Sequence, residues 1–298
     1  GSNNVGLGRY ALALNTTASN NTAVGYQAGY NNTTALANTF VGKAAGYSNT
    51  TGDQHTALGQ NALFSNNTGD SNTALGSDSM YTNTTGHGSV AIGRGALYYN
   101  TSGINNIAIG PYSAASATAA LFSNTTGSYN IALGKGALHS NTTASNNTAV
   151  GYKAGYSNTT GSGNTAFGFQ AFRVNTTGSN NTAIGYEANA NNTTGNYNVS
   201  LGLQSLLNNT TASNNIALGY QALTANTTGE INVAVGKALG TNTTGGNNIG
   251  IGFASLNFNT TGSQNVAMGR DALRSNSTAS NNTAVGYQAG YSNTTGAD

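Results

Sequence analysis

The sequence predicts an all-β fold, a parallel β-solenoid or β-roll of about seventeen coils of 17 residues each. Three observations predict it: one period runs through the chain, each period holds a short alternating stretch, and glycine and asparagine recur at fixed places. The period is read from the glycine that closes segments such as Thr22-Ala23-Val24-Gly25. It returns at Gly8, Gly25, Gly42, Gly59, Gly76, Gly93, Gly110, Gly134, Gly151, Gly168, Gly185, Gly202, Gly219, Gly236, Gly252, Gly269 and Gly286. Fourteen of the sixteen intervals are 17 residues; one is 24, from a seven-residue insertion near Pro111–Ala119, and one is 16. Residues 1–298 therefore read as a single repeat array, and as a segment of a longer one, since a finished solenoid carries polar capping units.

The first element of each coil is a strand. In Asn130-Ile131-Ala132-Leu133-Gly134, Ile131 and Leu133 share one face and Ala132 and Gly134 the other, the period of two that marks β structure. The second element is the corner after the strand, where glycine tolerates positive φ. An apolar segment with Leu63 or Leu97 follows, and then an Asn-Thr-Thr corner. A helix is disfavoured because Gly, Asn and Thr are poor helix formers and nothing repeats at 3.6. One unit cannot bury its apolar residues alone, but stacked copies can, with about 4.8 Å between equivalent residues. The Val24 and Leu133 type and the Leu63 and Leu97 type are expected to face the core. Alanine and glycine would then form a smooth outer strip against which a second and third rod could pack.

Composition narrows the function. Only 16 of 298 residues are charged, 5%, and there are 42 glycines, 48 asparagines, one proline and no cysteine. Without cysteine there is no disulfide scaffold or thiolate metal site. A net charge of +2, spread along the chain, gives no footprint for nucleic acid. No apolar run approaches the roughly 20 residues of a membrane span, so no membrane insertion is expected in this segment.

Segments such as Ser89-Val90-Ala91-Ile92-Gly93-Arg94-Gly95-Ala96 resemble the head repeats of trimeric autotransporter adhesins. They are also similar to the Asn-Thr-Ala-Val-Gly-Tyr-Gln-Ala repeats of tail-fibre-like bacterial surface proteins. The short motif recurs in nearly every unit. The resemblance implies a left-handed roll, three chains side by side, and a place outside the cell, on its surface or on a virion fibre. The period here is longer than in the adhesin heads, the added Asn-Thr-Thr-Gly enlarging one corner.

The candidate sites are columns. An N-x-Ser/Thr sequon stands in every unit, at Asn15, Asn32, Asn49, Asn66, Asn83, Asn100, Asn124, Asn141, Asn158, Asn175, Asn192, Asn209, Asn226, Asn242, Asn259, Asn276 and Asn293. It reads as a structural asparagine ladder or as glycosylation, and a spacing of about 4.8 Å is too tight for a glycan on every coil. Adjacent threonines such as Thr33-Thr34 raise ice binding, which adjacency opposes because only one of the two would face outward. Tyr30, Tyr47, Phe64, Tyr81, Tyr98 and Phe122 form an aromatic column, a structural ladder or a stacking platform for glycans. The ladder is the preferred reading, because no polar residues are expected to converge beside it. Asp53, Asp70 and His87 share one phase and read as a solvated trio rather than a metal site. Arg9, Lys43, Arg94, Lys135, Lys237 and Arg270 follow the glycine and read as a solvated face, and the insertion reads as a bulge.

No Ser–His–Asp set, carboxylate cleft or phosphate loop can be assembled. The expectation is a non-enzymatic structural fibre, adhesin head or spacer without a cofactor. It would associate with itself as a homotrimer or as filament subunits, and could meet surface glycans or matrix. The alternative is a monomeric carbohydrate- or ice-binding solenoid.

Overall fold

The computed structural model describes residues 1–111 and 118–296. The fold is all-β: 17 parallel strands of three residues each, one per coil, stacked as a β-solenoid. Two units are distinguished, Gly1–Tyr152 and Lys153–Asp298. The first holds nine strands, β1 (Val5–Leu7) to β9 (Thr148–Val150). The second holds eight, β10 (Thr165–Phe167) to β17 (Thr283–Val285). Within each unit successive strands pair in register, as in Thr22↔Thr39, Ala23↔Phe40 and Val24↔Val41. Length changes leave this register intact. Ile107 pairs Ile131 across the insertion, and Val233 pairs Ile249 across the deletion. The insertion itself falls largely on residues 112–117, outside the described residues.

The strand faces are inverted relative to the expectation. Ala23, Ala57, Ala91 and Ala132 are fully buried, whereas Ile131 and Leu133 are 39% and 44% exposed. Alanine faces the core, and the β-branched and leucine side chains face outward. The Leu63 and Leu97 type does point inward, together with Leu121, Leu206 and Leu223. The reason is width. A coil this short leaves a narrow interior, and the leucine from the segment after the corner crosses most of it, so the opposing strand has room only for a methyl group. There is consequently no outer strip of alanine and glycine.

Where the strand carries a large residue, its neighbours shrink. Phe40 replaces the strand alanine and is fully buried. The leucine phase beside it is Gly29 and Gly46, and a Cβ on Gly29 would come within 2.9 Å of the Phe40 ring. The glycine that ends most of the strands is required twice over. Gly42 has φ +135°, and a Cβ there would lie 2.5 Å from the Gly59 carbonyl oxygen of the next coil.

Candidate functional site

Two asparagine columns fill the polar half of the interior. In the sequon column, Asn49 Nδ2 donates to Asn32 Oδ1 at 2.9 Å and to the Gly52 carbonyl at 2.8 Å. Asn66, Asn83 and Asn100 repeat this arrangement, each bonded to the coil before it. From Asn32 to Asn276 these side chains are buried, while Asn15 and Asn293 are partly exposed. Nδ2, the atom that a glycan would occupy, thus spends its hydrogens inside the coil.

The second column precedes the strand and was not singled out in the sequence. Asn21 Oδ1 accepts the main-chain N–H of Asn38 at 2.9 Å, and Asn21 Nδ2 donates to the Ala35 carbonyl of the next coil at 2.9 Å. The two columns meet on one carbonyl per coil: Asn83 and Asn72 both donate to Gly86. The signal was present as the asparagine before each Thr-Ala-Val, but its burial depends on the coil being closed.

His55 takes an asparagine's place in this second column. Its main-chain N–H donates to Asn38 Oδ1, its Nδ1 accepts from the Asn72 main chain at 3.1 Å, and its other ring nitrogen bonds the Gly69 carbonyl. Asn66 Nδ2 converges on the same carbonyl, so the two nitrogens lie 3.0 Å apart. Burial holds the imidazole pKa down at about 4, against weaker opposing effects from these bonds and from Asp70 and Asp53.

The remaining columns are mostly structural in geometry. Thr33 Oγ1 donates to the Thr50 carbonyl of the next coil, and Thr84 does the same to Thr101, so the first threonine of each pair is engaged internally. Asp53 and Asp70 are not merely solvated. Asp53 Oδ1 accepts the Leu36 N–H at 2.6 Å, and Asp70 Oδ1 accepts the Asp53 N–H at 2.8 Å. Serines do this work in other coils, for example Ser145 accepting from Ser128. His87 is exposed. Several of the cations after the glycine lie over rings, as Lys135 over Tyr152, Lys237 over Tyr220 and Arg270 over Phe253 do at 6.0, 5.6 and 5.7 Å. Among the described residues, no group of three or more acidic or histidine side chains could hold a metal ion.

The aromatic column is continuous. Tyr30, Tyr47, Phe64, Tyr81, Tyr98 and Phe122 stack with centroids 5.0 to 5.3 Å apart, and His139 continues the stack 5.4 Å beyond Phe122. Ring faces are spent on each other, so the column presents edges to solvent. Tyr99 differs: its ring is turned 72° from Tyr98 and 81° from Phe122, and it is 46% exposed.

Beside Tyr99 lies a groove of about 410 Å³, bounded by Tyr81, Tyr98 and Phe122 and by Asn61, Asp78, Arg94 and Gly95. Polar residues therefore do converge beside the column, contrary to the sequence expectation. Asp78 Oδ1 accepts from Asn61 Nδ2 at 3.0 Å and Oδ2 from Ser77 Oγ at 2.9 Å. The Tyr98 hydroxyl pKa is raised, first by desolvation and then by Tyr81, Tyr99 and Asp78. Gly95 helps to open the groove. It stands at the phase where Asn61 and Asp78 carry side chains and where other coils carry Gln27, Gln170 and Gln204.

The fold and these columns define a parallel β-solenoid repeat protein. The chain matches no family model, and no curated protein matches its sequence.

Proposed function

We propose that the chain is a structural fibre segment, adhesin head or spacer of an extracellular or cell-surface filament, without catalytic activity, that associates laterally with copies of itself as a homotrimer. The observation that carries this reading is the outward face of the strands. In the second unit it presents Phe167, Leu201, Ile216 and Ile251 beside the corner residues Phe169, Tyr186, Tyr220 and Phe253, all more than a third exposed. Exposed apolar surface that is continuous from coil to coil is costly in isolation and marks an association surface. Coil-to-coil bonding of backbone and asparagine columns supplies mechanical resistance, and repetition supplies many weak contacts.

Sedimentation equilibrium and electron microscopy of the native material test the reading. A trimeric mass and uniform rods are expected. Converting Leu201 and Tyr220 to Ser should shift the population to monomer, whereas a wild-type monomer at all concentrations overturns the proposal.

A further inference from the structure

The groove beside Tyr99 goes beyond the fibre reading, since it lies within one unit of one chain and needs no second copy. We propose that it is a saccharide-binding site for a gluco-configured pyranose unit of a neutral glycan. A gluco-configured pyranose has equatorial hydroxyls, so it offers flat C–H faces and directs its hydroxyls outward in the ring plane. The C–H face matches the exposed Tyr99 ring, which stands one residue past the column and lies steeply across Tyr98 and Phe122 rather than stacked on them. The hydroxyls then meet Asn61, Asp78 and Arg94 at the groove wall.

Asp78 is held in place by Asn61 and Ser77, and each of its oxygens keeps further lone-pair capacity for a hydroxyl donor. Charge selects the ligand class. Asp78 and Arg94 cancel, which favours a neutral polyhydroxylated ligand over a phosphate or an amine. The volume, about 410 Å³, lies in the range of small-molecule sites.

The test is isothermal titration of cellohexaose into the full chain and two variants. Tyr99→Ala removes the platform. Gly95→Gln fills the groove with the side chain that other coils carry at this phase. Its backbone is suited to the change, since Gln27 and Gln170 have φ of 58° and 53° and Gly95 has 64°. Binding by the wild type, weakened about tenfold or more in each variant with the melting midpoint unchanged, is expected. No binding up to the solubility limit, or binding that both variants leave unchanged, overturns the proposal. Sedimentation of the same samples keeps this result separate from the fibre reading, because a trimer that does not bind and a monomer that does are distinct outcomes.

Discussion

The main-chain N–H of Asn72 donates to Nδ1 of His55 at 3.1 Å, which places a neutral imidazole in a column otherwise built mainly of asparagine. A neutral, buried histidine makes the coil sensitive to acid. Unfolded, the ring takes a proton near its ordinary value of 6.5; folded, it does so only at about 4. Between these values the unfolded chain binds more protons, so this contribution is intact above the window and falls as pH drops through it. The loss approaches about 3 kcal/mol at the acid end. His55→Asn restores the column and should abolish this dependence. Denaturation midpoints of wild type and variant, compared at pH 7 and at about pH 4.5, should diverge only at the lower pH.

Asn189 occupies the leucine phase between Phe172 and Leu206, fully buried, and neither amide atom has a partner. Asn189→Leu removes an unsatisfied amide and adds apolar burial in a shape that neighbouring coils already use. It should stabilise the second unit by about 2 kcal/mol, read as a higher denaturation midpoint.

Phe40 and Gly46 form a coupled pair. Phe40→Ala should cost about 3 to 5 kcal/mol through the cavity it leaves. Gly46→Leu alone should also destabilise, because its side chain would overlap the ring. The double variant rebuilds the arrangement of the Leu63 coil, where Leu63 has φ 54°, and Gly46 at φ 60° suits it. A double-mutant cycle on denaturant midpoints should therefore show the two losses largely cancelling.

Asn83→Ala breaks two bonds of its own, to Asn66 and Gly86, and takes from Asn100 one of its two acceptors, leaving only the Gly103 carbonyl. A loss of about 3 kcal/mol is expected in guanidinium denaturation, whereas Thr85→Ala, at an exposed neighbour, should change stability by about 0.5 kcal/mol or less. Because Nδ2 is consumed inside the coil, protein folded before it meets a glycosylating enzyme should keep the mass of the bare sequence at the interior sequons, as intact-mass spectrometry would show.

The aromatic stack from Tyr30 to Phe122 follows from one phase repeated in successive coils, and its spacing is the coil spacing. The groove was not legible in the same way. The residue string shows Gly95 and Tyr99, but not that they line one groove with Asn61, Asp78 and Arg94 from neighbouring coils, nor that the Tyr99 ring lies steeply across its neighbours. The same holds for the asparagine before each strand. It reads as a turn residue, and becomes an interior acceptor only when the next coil brings its N–H alongside.

The period, the parallel stacking and the opposition of the two strand faces were determined by the sequence alone, because copies 17 residues apart pair best with themselves. Which face turns inward was decided only by the tertiary structure. Alternation separates Ala132 from Ile131 and Leu133 but gives no inside or outside. The interior width does that: once Leu138 enters from the corner segment, alanine fits against it, and the larger side chains are left facing outward.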